Sequence, residues 1–193
     1  MAMTDIMVDL ESTGTNPSYN AIIQIAAVQF NYKTGEIGPV FNRCLSIAPN
    51  RYWDEGTRTW WGKQNKDVFD GIVSRMEPPE PVLRDFLTFA TTDVPNGGLR
   101  LWAKPIHFEF PFLESYFSQF GLPNPFHYRV ARDLNTYLAA MAGGVEHQDM
   151  EHIEVPTNAH DALADVVFQL KLLFAGKNRD FGIQDAEYEE IVE

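Results

Sequence analysis

Apolar runs and apolar stripes divide the chain into a strand-rich opening and a helix-rich remainder. Ile6-Met7-Val8 is a short apolar run closed by Asp9-Leu10-Glu11 and then broken by Gly14, Asn16 and Pro17. That pattern predicts a buried strand running into a loop. Ala21 to Phe30 (AIIQIAAVQF) has too few polar positions for a sheet edge, so it predicts a central strand. Asn31 to Gly35 supplies turn residues, and Val40 to Ile47 resumes an alternating pattern with Phe41, Arg43 and Leu45 on one parity. Together these segments predict a hairpin or three-stranded antiparallel meander.

The apolar period then lengthens. Thr57 to Arg75 carries Trp60, Trp61, Val68, Ile72 and Val73 and predicts one helix, ended by Pro78-Pro79-Glu80-Pro81. This proline cluster is too short for a domain linker and marks a helix break. Val82 to Ala90 repeats an i, i+3/i+4 pattern through Val82, Leu83, Phe86, Leu87 and Phe89. Asn96-Gly97-Gly98 turns the chain into a brief strand, Leu99 to Ala103, and Phe110 to Phe120 predicts a helix ended by Gly121 and Pro123. Tyr128 to Val130 predicts a short strand, Leu134 to Met141 a helix and Gly143 to Pro156 a polar loop. Ala159 to Ala175 is the clearest helix, with Leu163, Val166, Val167, Leu170 and Phe174 as its buried stripe. No internal repeat occurs. The expected architecture is α/β: a mixed sheet with helices packed against it, as one domain over residues 1–178, followed by an acidic, frayed tail at 179–193.

Composition narrows the picture only in places. The chain has 193 residues, 45% hydrophobic and 22% charged, which excludes a disordered or collagen-like chain. At this length a core forms without disulfides. The net charge of −12 excludes a general basic surface for gripping nucleic acid. A single cysteine, Cys44, makes neither an internal disulfide nor a cysteine zinc site and fits a reducing compartment. Met1-Ala2-Met3-Thr4-Asp5 has no basic region, and no run of about 18 apolar residues occurs later, so the expectation is a cytoplasmic chain with no signal peptide and no membrane partner.

Candidate chemistry lies in three places. Asp9 and Glu11, at i and i+2 of a strand, face the same side about 6.5–7 Å apart. Two neighbouring buried carboxylates are tolerable only if a cation neutralises them, and hard divalent ions with oxygen ligands suit that purpose. Alternatively, both acids lie in a solvated loop and cap the next element. The second place is Asn158-Ala159-His160-Asp161-Ala162-Leu163-Ala164-Asp165. His160 precedes Asp165 by five residues, about 140° around a regular helix, so the two converge only if His160 sits at the capping end. Otherwise His160 and Asp161 are ordinary first-turn residues and Asp165 is solvated. The third is Glu109, which opens a helix after the strand at 99–103, where the helix dipole alone also favours an acid. Trp60 and Trp61 read as core or as a stacking platform for a base, with one residue in each role. Arg58, Lys63, Lys104, Arg129 and Arg132 form either a basic rim or ordinary surface charge. His147 and His152, alone in a polar loop, do not make a zinc site.

Taken together, Asp9-x-Glu11 within VDLESTG, the acid at Phe108-Glu109, and His160-x-Ala162-x-x-Asp165-x-x-x-Gln169 resemble the three motifs of the DEDDh 3′–5′ exonucleases. Within that family, Thr59-Trp60-Trp61-Gly62-Lys63-Gln64, Leu101-Trp102-Ala103, Gly121-Leu122-Pro123 and Arg132-Asp133-Leu134-Asn135-Thr136 resemble the exonuclease VIII-like and Rv2179c-like branch, which includes phage homologues. The match runs from about Asp5 to Phe174. Two positions depart from the pattern: Glu109 stands where the family has Asp, and Asn135 stands where the group has Arg.

The resemblance implies a ribonuclease H-like fold and metal-dependent hydrolysis of DNA or RNA from the 3′ end, releasing nucleoside 5′-monophosphates. It implies two divalent cations, Mg²⁺ or Mn²⁺, on Asp9, Glu11, Glu109 and Asp165, with His160 as general base. Substrate contacts fall on Ser12, Thr13, Gly14, Trp61, Phe108 and Arg132. The expected partner is single-stranded or 3′-ended nucleic acid, and a homodimer is an expectation carried over from relatives. If the chain is phage-encoded, its compartment is the host cytoplasm. A second reading is a catalytically weakened nucleic-acid-binding domain, suggested by Glu109.

Overall fold

The computed structural model describes residues 2–94, 98–142 and 156–177. The expected turn at Asn96-Gly97, most of the polar loop with His147 and His152, and the acidic tail lie outside these residues. One six-stranded sheet carries the fold, in the order β4-β3-β2-β1-β5-β6. Its strands are β1 (Asp5–Ser12), β2 (Ile22–Phe30), β3 (Ile37–Leu45), β4 (Met76–Glu77), β5 (Arg100–Ala103) and β6 (Ala131–Asp133). β1, β2 and β3 pair antiparallel as the expected meander, whereas β5 runs parallel to β1, and β6 parallel to β5. The helices are α1 (Glu55–Trp61), α2 (Lys66–Ser74), α3 (Pro79–Thr91), α4 (Ile106–Gln119), α5 (Leu134–Met141) and α6 (Ala162–Lys177). No helix among the described residues is long and apolar enough to cross a membrane.

Three local expectations need correction. The helix expected over 57–75 is two helices: Gly62 closes α1, and the Asn65 side chain caps α2 by accepting from the Asp67 N–H. β4, which the sequence pattern does not indicate, comes directly after α2 and pairs parallel with β3. Tyr128–Val130 is a 3₁₀ turn, and the strand lies one step later in β6. Pro79 and Pro81 do not break a helix but start one, because the first turn of α3 needs no intrahelical N–H from them.

Strand alternation sorts the core into two layers. On β1, Ile6, Val8 and Leu10 pack with Val82, Leu83 and Phe86 of α3 and Phe112, Leu113 and Tyr116 of α4. Met7, one residue out of phase, packs with Ala26, Val28 and Phe30 of β2 and with Leu163, Val166 and Leu170 of α6. Asp9 and Glu11 share the parity of Met7, so the pleat directs both carboxylates toward the α6 side of the sheet. With helices on both faces, every residue of β1 is buried.

At the opposite end of β1, Asp5 is fully buried and accepts from the Arg100 guanidinium at 2.6 and 2.5 Å and from the Trp102 indole at 2.8 Å. Removing Arg100 would leave a buried carboxylate without its counter-charge. Arg100→Ala is therefore expected to destabilise the fold toward the lower end of about 3–5 kcal/mol, since Arg100 is itself 36% exposed and Trp102 still donates. The check is a lower urea midpoint at unchanged slope.

Candidate active site

Parallel pairing of β1 with β5 brings the starts of α4 and α6 to the carboxyl end of β1, where α/β sheets commonly place their sites. A cleft of about 680 Å³ opens there, lined among others by Asp9, Glu11, Ser12, Gly14, Trp60, Trp61, Lys104, Phe108, Glu109, His160 and Asp165. Asp9 and Glu11 come from the second half of β1, Glu109 from the first turn of α4 and Asp165 from the first turn of α6. One ligand atom each from Glu11, His160 and Asp165 lies within 4.8 Å of the others. Gln169, one turn beyond Asp165 on α6, donates to Asp9 Oδ1 at 2.7 Å.

His160 reaches this cluster because it is outside the helix. The backbone there is left-handed, at φ 71°, and α6 begins two residues later. Its N–H donates to Asp165 Oδ2 at 3.0 Å, which closes the five-residue loop between them. The imidazole meets the Trp60 ring edge-on at 4.6 Å and lies 6.5 Å from Trp61.

The cluster's electrostatics are unfavourable without a cation. Burial pushes the Asp9, Glu11 and Glu109 carboxyls well above their ordinary values, and their neighbours' negative charge adds to the shift: Asp165 acts on Asp9, and Asp9 acts on both Glu11 and Glu109. Burial also raises Asp165, against the opposing bond from the His160 N–H. Glu109 Oε2 and Gln169 Oε1 are buried without a hydrogen-bond partner. A buried carboxylate oxygen that no N–H or O–H satisfies, in a cleft lined by further carboxylates, suits the oxygen coordination hard divalent ions prefer. The residues therefore fit the metal requirement that the acids alone implied.

The substrate residues expected from the sequence separate into two groups. Ser12, Gly14, Trp61 and Phe108 line the cleft. Ser12 donates to the Gly14 carbonyl at 2.7 Å, and a Cβ on Gly14 would fall 2.3 Å from Asn20 Oδ1, so only glycine fits that turn. Thr13 and Arg132 lie elsewhere. The Thr13 hydroxyl is buried beneath the loop, donating to the Tyr52 carbonyl and accepting from the Ala21 N–H. Arg132 turns its Nη1 to the Arg129 and Ala131 carbonyls. Its neighbour Asp133 serves the site indirectly, capping α5 through Thr136 and accepting the Ile106 N–H that begins α4. Of the basic rim, Lys104 lines the cleft, whereas Arg58, Lys63 and Arg129 are exposed and do not line it.

Of the tandem pair, Trp61 is buried and donates to the Ser12 carbonyl at 3.1 Å, while Trp60 is 39% exposed. The free aromatic face thus belongs to Trp60, although Trp61 carried the substrate expectation. Cys44 is buried beside Ile23, Trp61 and Ile72, and burial pushes its thiol up to about 11, so it offers no nucleophile.

Solved structures with this backbone include exonuclease I of E. coli. Its complex with a dT13 oligonucleotide matches at TM-score 0.67 and 18% identity, covering 98% of this chain and 43% of that one. The dA16 complex matches at TM-score 0.68 and 17% identity, over 98% and 43%. The zinc-bound complex with single-stranded DNA gives 0.67 and 17%, over 93% and 42%. At these identities the likeness shows the shared ribonuclease H-like fold, and this chain spans less than half the length of exonuclease I. No curated protein matches the chain in sequence. The sequence profile described as a 3′–5′ exoribonuclease Rv2179c-like domain matches residues 4–175, nearly the whole described fold, and the chain belongs to that family.

Proposed function

We propose that the chain is a divalent-metal-dependent exonuclease that shortens single-stranded DNA or RNA from its 3′ end and releases nucleoside 5′-monophosphates. The observation that carries this reading is the convergence of Asp9, Glu11, Glu109, Asp165 and His160 on one cleft, with a buried Glu109 oxygen left without a partner. Family membership supports the direction of cleavage. Oligonucleotide-bound exonuclease I supports a single strand as substrate, and the family's description supports RNA, so both sugars stay within the proposal.

Asp9, Glu11 and Asp165 would hold two Mg²⁺ or Mn²⁺ ions, with Glu109 completing the set. When bound, such ions activate water and neutralise charge on the scissile phosphate. The remaining chemistry belongs to the chain. Gln169 fixes the Asp9 carboxylate, so its two oxygens present a single orientation to the cleft. The Ser12–Gly14 turn, closed by its own hydroxyl bond, shapes the pocket for the terminal sugar. His160, beside the carboxylates and steadied by Trp60, takes the proton from the attacking water. The longer side chain at Glu109 still delivers its carboxylate to the cleft wall, so the acid function is retained at that position.

The test uses 5′-labelled RNA and DNA oligonucleotides of one sequence, incubated with Mn²⁺ or Mg²⁺ and resolved on a gel. A ladder shortening from the 3′ end, abolished by EDTA, is expected with at least one sugar. Binding without degradation, in both the native chain and Glu109→Asp, would replace this reading with that of a binding domain.

A further inference from the structure

A polar residue lies near the start of a largely apolar central strand. Gln24 lies in β2, is 0% exposed, and sits directly opposite Glu11 in the β1–β2 register. Burying an amide inside a sheet is costly unless each of its atoms is paired. Gln24 is paired, and two of its partners lie at the start of α6. Its Oε1 accepts the Ala162 N–H at 3.1 Å, and its Nε2 donates to Asn42 Oδ1 at 3.0 Å and to Asp161 Oδ2 at 3.3 Å. Because a backbone N–H only donates, the bond to Ala162 sets which way round the amide sits.

The first N–H groups of a helix have no intrahelical acceptor. In α6 they are shared between two residues. Asp161 Oδ1 takes those of Leu163 and Ala164, at 3.1 and 3.3 Å, and Gln24 takes that of Ala162. The other Asp161 oxygen faces Arg75 at 3.6 Å as well as Gln24. The Gln24 bond is therefore the point at which the sheet grips the start of α6, and His160 is only two residues upstream. Further along, α6 is held by other means: Val166 and Leu170 are buried in the core, and Gln169 is bonded to Asp9.

We propose that Gln24 is a positioning residue for His160. It anchors residue 162 to the same sheet face that presents Glu11, and so places the imidazole against both the carboxylates and Trp60. The inference rests on the reading of His160 as the base in this cleft, and it assigns a role to a residue that touches neither substrate nor ion. Asp165, on the part of α6 that Val166 and Leu170 pack into the core, is expected to keep its place when Gln24 is changed.

Gln24→Met keeps the volume and removes the acceptor, so it separates positioning from packing. Its expected effect is a fall in kcat of roughly 10- to 100-fold, the scale set by a displacement of about 1 Å, with KM changed little. The rise in Tm on adding Mn²⁺ should be unchanged. A readout independent of activity is the His160 ring proton shift in the metal-free protein. It carries the ring current of Trp60, and Gln24→Met should move it toward the value of a solvated imidazole. If Gln24→Met does not fold, Asn42→Leu removes one of the two acceptors of Gln24 Nε2 and leaves the bond to the Ala162 N–H, and smaller changes of the same sign in kcat and in the His160 shift are expected. A variant with native kcat and a native His160 shift would overturn the proposal. So would a fall in kcat matched by loss of the Mn²⁺ response, which would make Gln24 a general support of the fold. A native protein lacking nuclease activity while its Gln24 variant still shifts the His160 signal would refute the exonuclease reading and leave the anchoring intact.

Discussion

Asp9→Asn is expected to abolish hydrolysis while making the metal-free protein more stable. Activity should fall on the order of 10³-fold or more, because losing the central ligand removes several kcal/mol of transition-state stabilisation at 1.36 kcal/mol per tenfold. The opposite effect on stability arises from the same carboxylate. Burial and the charge of Asp165 hold Asp9 well above its ordinary pKa, and its ionised form raises Glu11 and Glu109 in turn. The neutral amide removes this repulsion, and its oxygen can still accept from Gln169. In EDTA at pH 8 the variant should therefore melt a few degrees above the native chain, on a scale of roughly 2–4 °C per kcal/mol. Adding Mn²⁺ should raise the native Tm and leave that of the variant nearly unmoved.

The same shifts set a pH dependence with a definite sign. Carboxyls raised in the folded state bind more protons there than in the unfolded chain, whose value is about 4. Metal-free stability is thus fully present below that value and declines as pH rises through the raised folded values of Asp9, Glu11 and Glu109. Divalent ions bind only the deprotonated acids, so the stabilisation they confer grows over the same range. Thermal melts across pH, with and without Mn²⁺, should diverge on the alkaline side.

The second large effect belongs to His160. Replacing a general base typically lowers turnover by about 10²–10⁴-fold. At φ 71° the substitution needs care, because alanine costs about 1–2 kcal/mol in the left-handed region whereas asparagine tolerates it. His160→Asn keeps the backbone bond to Asp165, since that bond uses the N–H and not the ring. The expected result is a kcat reduced by at least ~10²-fold with oligonucleotide binding and the Mn²⁺-induced rise in Tm both preserved. His160→Ala should lose a similar factor and be somewhat less stable. Near-native turnover in both variants would remove the base assignment.

Much of this arrangement was legible in the sequence, and the rest was hidden for physical reasons. Continuous apolar runs located β1 and β2 and period-two alternation located β3, and Asp9-Leu10-Glu11 at the end of the first run already placed two acids on one face. The spacing of His160 and Asp165 required a break in the helix between them, and the left-handed backbone at His160 is that break. Alternation could not locate β4, a two-residue strand formed by pairing with β3. The division of α1 from α2 had a signal in Gly62 and Asn65, outweighed by the apolar residues on either side. Consecutive tryptophans point about 100° apart on a helix, so one had to leave the core, and only packing against β2 and α2 decides that Trp61 stays. Thr13 and Arg132 sit in the right segments, but the Thr13 hydroxyl and Arg132 Nη1 are turned to backbone groups. Side-chain direction of that kind is not written in a motif. Gln24, by contrast, left a trace: with Gln29 it is one of two buried amides in an otherwise apolar strand.

The acidic balance of the chain also takes on a more specific meaning. A net charge of −12 argues against binding by a broad basic surface, and the cleft concentrates part of that excess where divalent ions would reverse its sign. The most direct measurement is anomalous diffraction from crystals soaked in Mn²⁺. Two manganese peaks are expected within coordination distance of Asp9, Glu11 and Asp165, one of them reached by Glu109. Soaked crystals with no peak in this cleft, or with manganese bound only elsewhere, would contradict a metal-dependent active site at the end of β1.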